Sequence, residues 1–178
     1  MKGKPRKIYI SNDKWKDAKN TVKDGILKKL SAAKQNLSID KDIAAGIYVY
    51  ALEELGKLLL LKDCKKVNGR YIIKYRNEFV SHQIKFGKAF DYLHNNNSDE
   101  CIILNNESSY ASDLNSWKNF SIELIAETEA RLGIFYVDFY DFQNNKDKYD
   151  IMKVPNVDEN KLKRAINELE NVVNDFVL

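Results

Sequence analysis

Histidine and cysteine are scarce in this chain, with two of each among 178 residues. Cys64 and Cys101 form no CxxC pair and histidine is limited to His82 and His94, so spacing assembles no metal-ligand set and structural zinc is not expected. No cofactor is expected either. A large charge of one sign is lacking too. The formal net charge of +3 and the pI of about 8.6 are mildly basic, which permits contact with RNA or another polyanion without requiring it. The basic first residues are not followed by an apolar segment of about 7–15 residues, so no signal-peptide pattern is present and a cytoplasmic protein is the expectation. No internal repeat, heptad array or low-complexity segment occurs. The length suits one domain, residues 1–178, with room for a real core.

What the chain does have is one long apolar stretch, Ile43–Leu61, interrupted by Glu53-Glu54-Leu55-Gly56-Lys57. A helix apolar around its whole circumference lies in a core or in a membrane. Three ionisable residues near the midpoint would each cost about 2.5–3.5 kcal/mol on insertion, against about 0.3–0.6 returned per Leu or Ile, so a membrane span is not expected. The stretch reads as the central helix of a bundle, carrying buried charges that need partners. Glu53 and Lys57 stand four apart with the acid first, the favourable order for an intrahelical ion pair. Breaking a buried pair should cost about 3–5 kcal/mol, so Lys57→Met is expected to lower thermal stability markedly. Gly46, Val49, Glu53, Gly56 and Leu60 share a stripe whose glycines would admit a neighbouring helix closely.

Around this helix the pattern predicts an all-α bundle of about five helices with a small β-hairpin before the last. Residues 1–12 form a basic arm with a short apolar patch, Ile8-Tyr9-Ile10. Helix one runs from about Asp13 to Leu37, with Trp15, Ala18, Val22, Ile26, Leu30, Ala33 and Leu37 on one face. Ser38–Asp42 supplies caps for the central helix, which extends to about Lys66. After a turn at Asn68-Gly69, helix three carries Ile72, Tyr75, Phe79, Phe86, Phe90 and Leu93 on a stripe in which His82 is the polar member. His94–Asn115 reads as a long surface loop. Helix four covers about Leu114 to Leu132. Ile134–Tyr140 and Tyr149–Val154, joined through Asn144-Asn145, form the hairpin (residues 134–155, closed by Pro155), and the last helix spans about Asp158 to Phe176.

Three islands in this order resemble the AbiV-type abortive infection proteins, a branch of the HEPN superfamily. Ala51-Leu52-Glu53-Glu54-Leu55-Gly56-Lys57 is similar to that family's A-x-E-E-x-G-K signature. Phe79-x-x-His82-x-x-Lys85 resembles its F-x-x-H-x-x-K segment. Arg131-x-Gly133-Ile134-Phe135-Tyr136-Val137-Asp138, followed by Pro155, is similar to its R-x-G-x-Y-V-D…P segment, departing in the added Phe135 and in an Asn-rich insert at Asp141–Asp150. The resemblance implies a HEPN-like helical bundle acting as a homodimer, an anti-phage toxin that halts host translation in abortive infection, with an RNA substrate and an activating phage protein as partners.

Many HEPN proteins are metal-independent endoribonucleases with an R-x(4–6)-H motif, which Arg76-x5-His82 satisfies. The implied catalytic pair is therefore Arg76 and His82. A histidine titrating near neutrality suits deprotonation of a ribose 2′-hydroxyl, and an arginine fork suits the developing phosphorane charge. Lys57, Lys85 and Arg131 would extend the anion site. Glu53, Glu54 and Asp138 would hold the cations and the imidazole in place, and Tyr136 completes the substrate-binding or supporting set. Two rival readings accompany this one: a non-catalytic module of the same fold that arrests translation by binding RNA, the ribosome or a phage protein, and a purely structural buried network.

Overall fold

The computed structural model describes residues 7–74, 79, 81–101, 139–141, 149–151 and 158–176. In chain order these form β1 (Lys7–Ile10), α1 (Asn12–Leu37), α2 (Lys41–Lys62), β2 (Lys66–Val67), β3 (Arg70–Lys74), α3 (His82–Asn95), a 3₁₀ turn (Asp99–Cys101), β4 (Phe139–Asp141), β5 (Tyr149–Ile151) and α4 (Glu159–Asp175). The chain is mostly helical, compatible with the expected all-α class, and carries in addition a small three-stranded antiparallel sheet of order β1-β3-β2 that was not expected.

The central helix is where the sequence places it. Asp40 caps α2, its Oδ1 accepting from the backbone N–H groups of Asp42 and Ile43 at 2.9 and 3.1 Å. Fourteen of the 22 residues of α2 are buried, while Ile43, Ile47, Tyr50, Glu54 and Lys57 share one stripe that stays half-exposed, so the apolar circumference is not buried all round as expected. It ends at Lys62 rather than Lys66, because the next residues enter the sheet. Helix α1 packs along α2 through Ile26, Leu30 and Ala33, and α3 packs on α2 through Phe86, Ala89, Phe90 and Leu93. Helix α4 lies mainly on α1, burying Leu162, Ile166, Leu169, Val173 and the following Phe176. All five were expected there from their three- and four-residue spacing. Lys23 of α1 donates to the carbonyls of Asn174 and Phe176 at 3.1 Å, satisfying acceptors that the end of α4 leaves open.

Helix three is the main correction. Its expected first half is strand β3, so Ile72 belongs to a sheet and the stripe from Ile72 to Leu93 is not one helical face. Asn68 (φ 49°) and Gly69 (φ 76°) are the two residues of a tight hairpin in which Val67 faces Arg70 and Lys66 faces Tyr71. Two successive positive φ angles are what a two-residue hairpin with correctly twisted strands demands, and Asn-Gly meets that demand. Ile8-Tyr9-Ile10, the apolar patch of the expected basic arm, is the partner strand, paired as Ile8↔Ile73 and Tyr9↔Ile72. Trp15 fastens this sheet to the bundle. Its ring stacks on Tyr71 at 3.9 Å and 6°, and its Nε1–H donates to Leu61 O, at the end of α2, at 2.9 Å. The ammonium of the buried Lys19 lies 3.5 Å from the same ring.

Helix α3 ends in a Schellman motif. Asn97 takes φ 56°, its N–H donates to His94 O at 3.0 Å, and the Ser98 N–H reaches Leu93 O at 2.9 Å. The start of the expected surface loop is exposed at Asn95–Asn97 and Glu100 but anchored at two points: Ser98 and Cys101 are buried, and the Ser98 hydroxyl donates to Glu168 at 3.1 Å. The later hairpin is present as β4 and β5, in register Phe139↔Ile151, Tyr140↔Asp150 and Asp141↔Tyr149. The rest of that expected hairpin, the loop beyond Cys101 and the helix expected at Leu114–Leu132 lie outside the described residues.

Tyr48, fully buried on α2, donates its hydroxyl to Cys101 O at 2.6 Å and so ties the 3₁₀ turn to the core. Burial pushes this phenol well above its ordinary pKa, and Cys101 and Glu168 push the same way. A folded-state pKa above the unfolded one means a contribution fully present below about pH 10 and lost as pH climbs toward the folded value. Tyr48→Phe should therefore lower stability by about 1–2 kcal/mol at neutral pH and flatten the loss of stability above about pH 10. Urea unfolding between neutral and strongly alkaline pH checks both, and an unaltered alkaline limb would contradict the assignment.

Candidate functional site

Helices α2 and α3 meet where the first two sequence islands meet. A Cβ built on Gly56 would lie 1.9 Å from the carbonyl oxygen of Lys85 and 2.8 Å from its Cα, so the backbone of α3 rests directly on Gly56. Even alanine there would force the two helices apart, which explains a glycine inside a helix interior that it destabilises by about 1 kcal/mol. The close approach sets Lys85 beside Glu53, one turn before Gly56 on the same stripe, and the two form an ion pair. Their side chains are only 6 and 10% exposed.

This arrangement corrects the expected pairing. Lys57 does not pair with Glu53. Its ammonium is 2.8 Å from both carboxylate oxygens of Glu54, three residues earlier on the same helix. The Lys57 and Glu54 side chains are 31 and 23% exposed, so this pair is partly solvated. Sequence spacing gives intrahelical neighbours and cannot see that Gly56 admits a second backbone, which brings Glu53 a partner from another helix instead. Lys85 is likewise not a free cation waiting for phosphate: its charge is engaged by Glu53 inside the helix crossing.

His82 is the first residue of α3 rather than a mid-helix member of an aromatic stripe. Ser81 caps that helix, its Oγ accepting from the Ile84 N–H at 3.3 Å, and the Ser81 carbonyl accepts from the Lys85 N–H at 3.3 Å. The cap was legible as a serine directly before the periodic Ile84–Leu93 pattern, but the Ile72–Leu93 stripe masked it. The structure thus joins Glu53, Gly56 and Lys85 at one crossing, pairs Glu54 with Lys57 on α2, and starts α3 at His82, one turn from Lys85. Arg76, Arg131, Tyr136 and Asp138, and the side chain of His82, lie outside the described residues. Among the described residues no group of three or more His, Cys, Asp or Glu could hold a metal ion, and no helix is long and apolar enough to cross a membrane.

The chain matches no protein-family model, no curated protein and no solved structure.

The difference in burial decides which cation matters to folding. Lys85→Met should destabilise the protein by about 3–5 kcal/mol, since it leaves the Glu53 carboxylate buried without its ammonium. Lys57→Met, at a partly solvated i,i+3 pair, should cost no more than about 1 kcal/mol. Chemical denaturation of the two variants measures both. Equal losses would show that burial does not rank the pairs.

Proposed function

We propose that this chain is an AbiV-like HEPN-type protein, an abortive-infection toxin that cleaves RNA without a metal ion and so halts host translation. The observation that carries the proposal is the meeting of two family-like islands at a single helix crossing. Ala51–Lys57 and Phe79–Lys85 are separate in sequence, yet Gly56 seats the Lys85 backbone and Glu53 engages the Lys85 ammonium. Residues matching a signature at a distance are expected to converge in this way when they build one site.

In this reading the buried pair is support rather than chemistry. It fixes the first turn of α3 on α2, and with it the position of His82 at the start of that helix. His82 takes the proton of the ribose 2′-hydroxyl, and Arg76 faces the phosphorane oxygens with its bidentate fork. Glu54 and Lys57 neutralise one another along α2. Arg131, Tyr136 and Asp138 remain assigned to substrate binding or support by the resemblance alone. The protein acts in the cytoplasm as a homodimer, pooling two Arg/His sites, with an RNA substrate and a phage protein as trigger.

One observation favours a second reading. Lys85, which would otherwise strengthen the anion site, is committed to Glu53, leaving fewer cations for a scissile phosphate. A non-catalytic module of the same fold, arresting translation by binding RNA, the ribosome or a phage protein, needs no such cation.

The test is cleavage by purified protein. The account expects cleavage to survive EDTA and to leave 2′,3′-cyclic phosphate ends. His82→Ala should abolish both cleavage and toxicity while the protein stays folded, with a solution mass near twice the 20.7 kDa of the chain. Arg76→Lys should restore only part of the activity that Arg76→Ala loses, because lysine lacks the fork. Undiminished cleavage by the His82→Ala protein, or a strict need for a divalent metal, would reject the mechanism. Toxicity without any cleavage would favour arrest by binding.

A further inference from the structure

A cleft of about 470 Å³ opens on the other side of α3, between the sheet and the end of α2. Its volume falls within the roughly 300–1,000 Å³ of small-molecule pockets. Leu60 of α2, Ile72 of β3 and Ile84 of α3 form apolar walls, joined by Val67 of β2 and by one aromatic residue, Phe79. Ile84 and Val67 are 38 and 44% exposed, so the cleft leaves large hydrophobic side chains open to solvent. Its charges are one-sided. Lys88 is neutralised by Asp63 at 2.6 Å, but no acid among the described residues pairs with Lys7 or Lys65, which also line it. The register explains the placement: Lys7, Val67 and Ile72 belong to the sheet face opposite to Tyr71, whose ring is stacked on Trp15.

We propose that this cleft binds a small amphipathic anion, an aliphatic or aryl body with one acidic head such as a medium-chain carboxylate. The body would cover Leu60, Ile72 and Ile84, and the head would lie by Lys7 and Lys65. Two features select this chemistry over a nucleotide. The walls are mostly aliphatic, with few groups to satisfy the polar edges of a base. Among the described residues the unbalanced charge amounts to two lysines, enough for one acidic head at the mouth. Of the motif positions in the second island the cleft borders only Phe79, and the proposal uses Ile84 on α3 rather than Lys85 and His82, so a binding titration tests it without reference to RNA cleavage.

Calorimetric titration of the full chain with decanoate, decanol and UMP tests it. Decanoate should bind saturably at one site, decanol more weakly and UMP not at all. The exposed pair of changes Lys7→Gln and Lys65→Gln should weaken decanoate by about tenfold, or about 1.4 kcal/mol, and leave decanol unchanged. Cys64→Trp, which fills the cleft from the chain leaving α2, should remove binding of both. No saturable decanoate binding, tighter binding of UMP, or decanoate affinity indifferent to the double lysine variant would each overturn the proposal. If Cys64→Trp fails to fold, the lysine variant decides alone.

Discussion

The contact on which the rest depends is the seat of α3 on Gly56 of α2, locked by the ion pair between Lys85 and Glu53. Two charges buried at 6 and 10% exposure are costly unless each meets the other in good geometry. That geometry exists only while the backbones touch, and the backbones touch only because residue 56 has no side chain. Desolvation, helix approach and charge pairing therefore stand or fall together. The aromatic face of α3, Phe86 and Phe90, is then driven into the core beside Leu52 and Leu55. On the opposite side α3 closes the cleft against the sheet.

The sheet adds a second constraint at the far end of α2. Trp15 spans three elements, lying on α1, stacking on Tyr71 of β3 and donating to the Leu61 carbonyl of α2. A helix terminus otherwise leaves such carbonyls without partners. The sheet position thus follows from the end of the central helix, and the residues between β3 and α3 must bridge from that sheet to the Gly56 crossing.

Much of this was legible in the sequence. The all-round apolar run Ile43–Leu61 identified the central helix, the three- and four-residue spacing identified the buried faces of α1 and α4, and Gly56 on a polar insert signalled a close helix approach. What escaped were long-range pairings. Ile72 has the same residue type and nearly the right phase for a helix stripe, and only its pairing with Tyr9 across the sheet makes it a strand residue. Asn68-Gly69 carried the hairpin signal, but the apolar patch at Ile8–Ile10 that completes the sheet is some 60 residues away. The charged cluster was recognised while its partners were misassigned. Glu53 had a suitable lysine at i+4, and nothing in local spacing shows that another helix supplies a better one. Ser81 would have marked the true start of α3 had the stripe not been extended through it.

The functional account rests on that crossing being a coupled unit rather than two adjacent features. A double-mutant cycle on Glu53→Gln and Lys85→Met, followed by denaturant unfolding, measures the coupling directly. The account predicts that the double variant is less destabilised than the sum of the singles by about 2 kcal/mol or more, because both single changes remove the same buried interaction. Effects additive to within about 0.5 kcal/mol would contradict it, and would leave the two islands as neighbours that share no interaction.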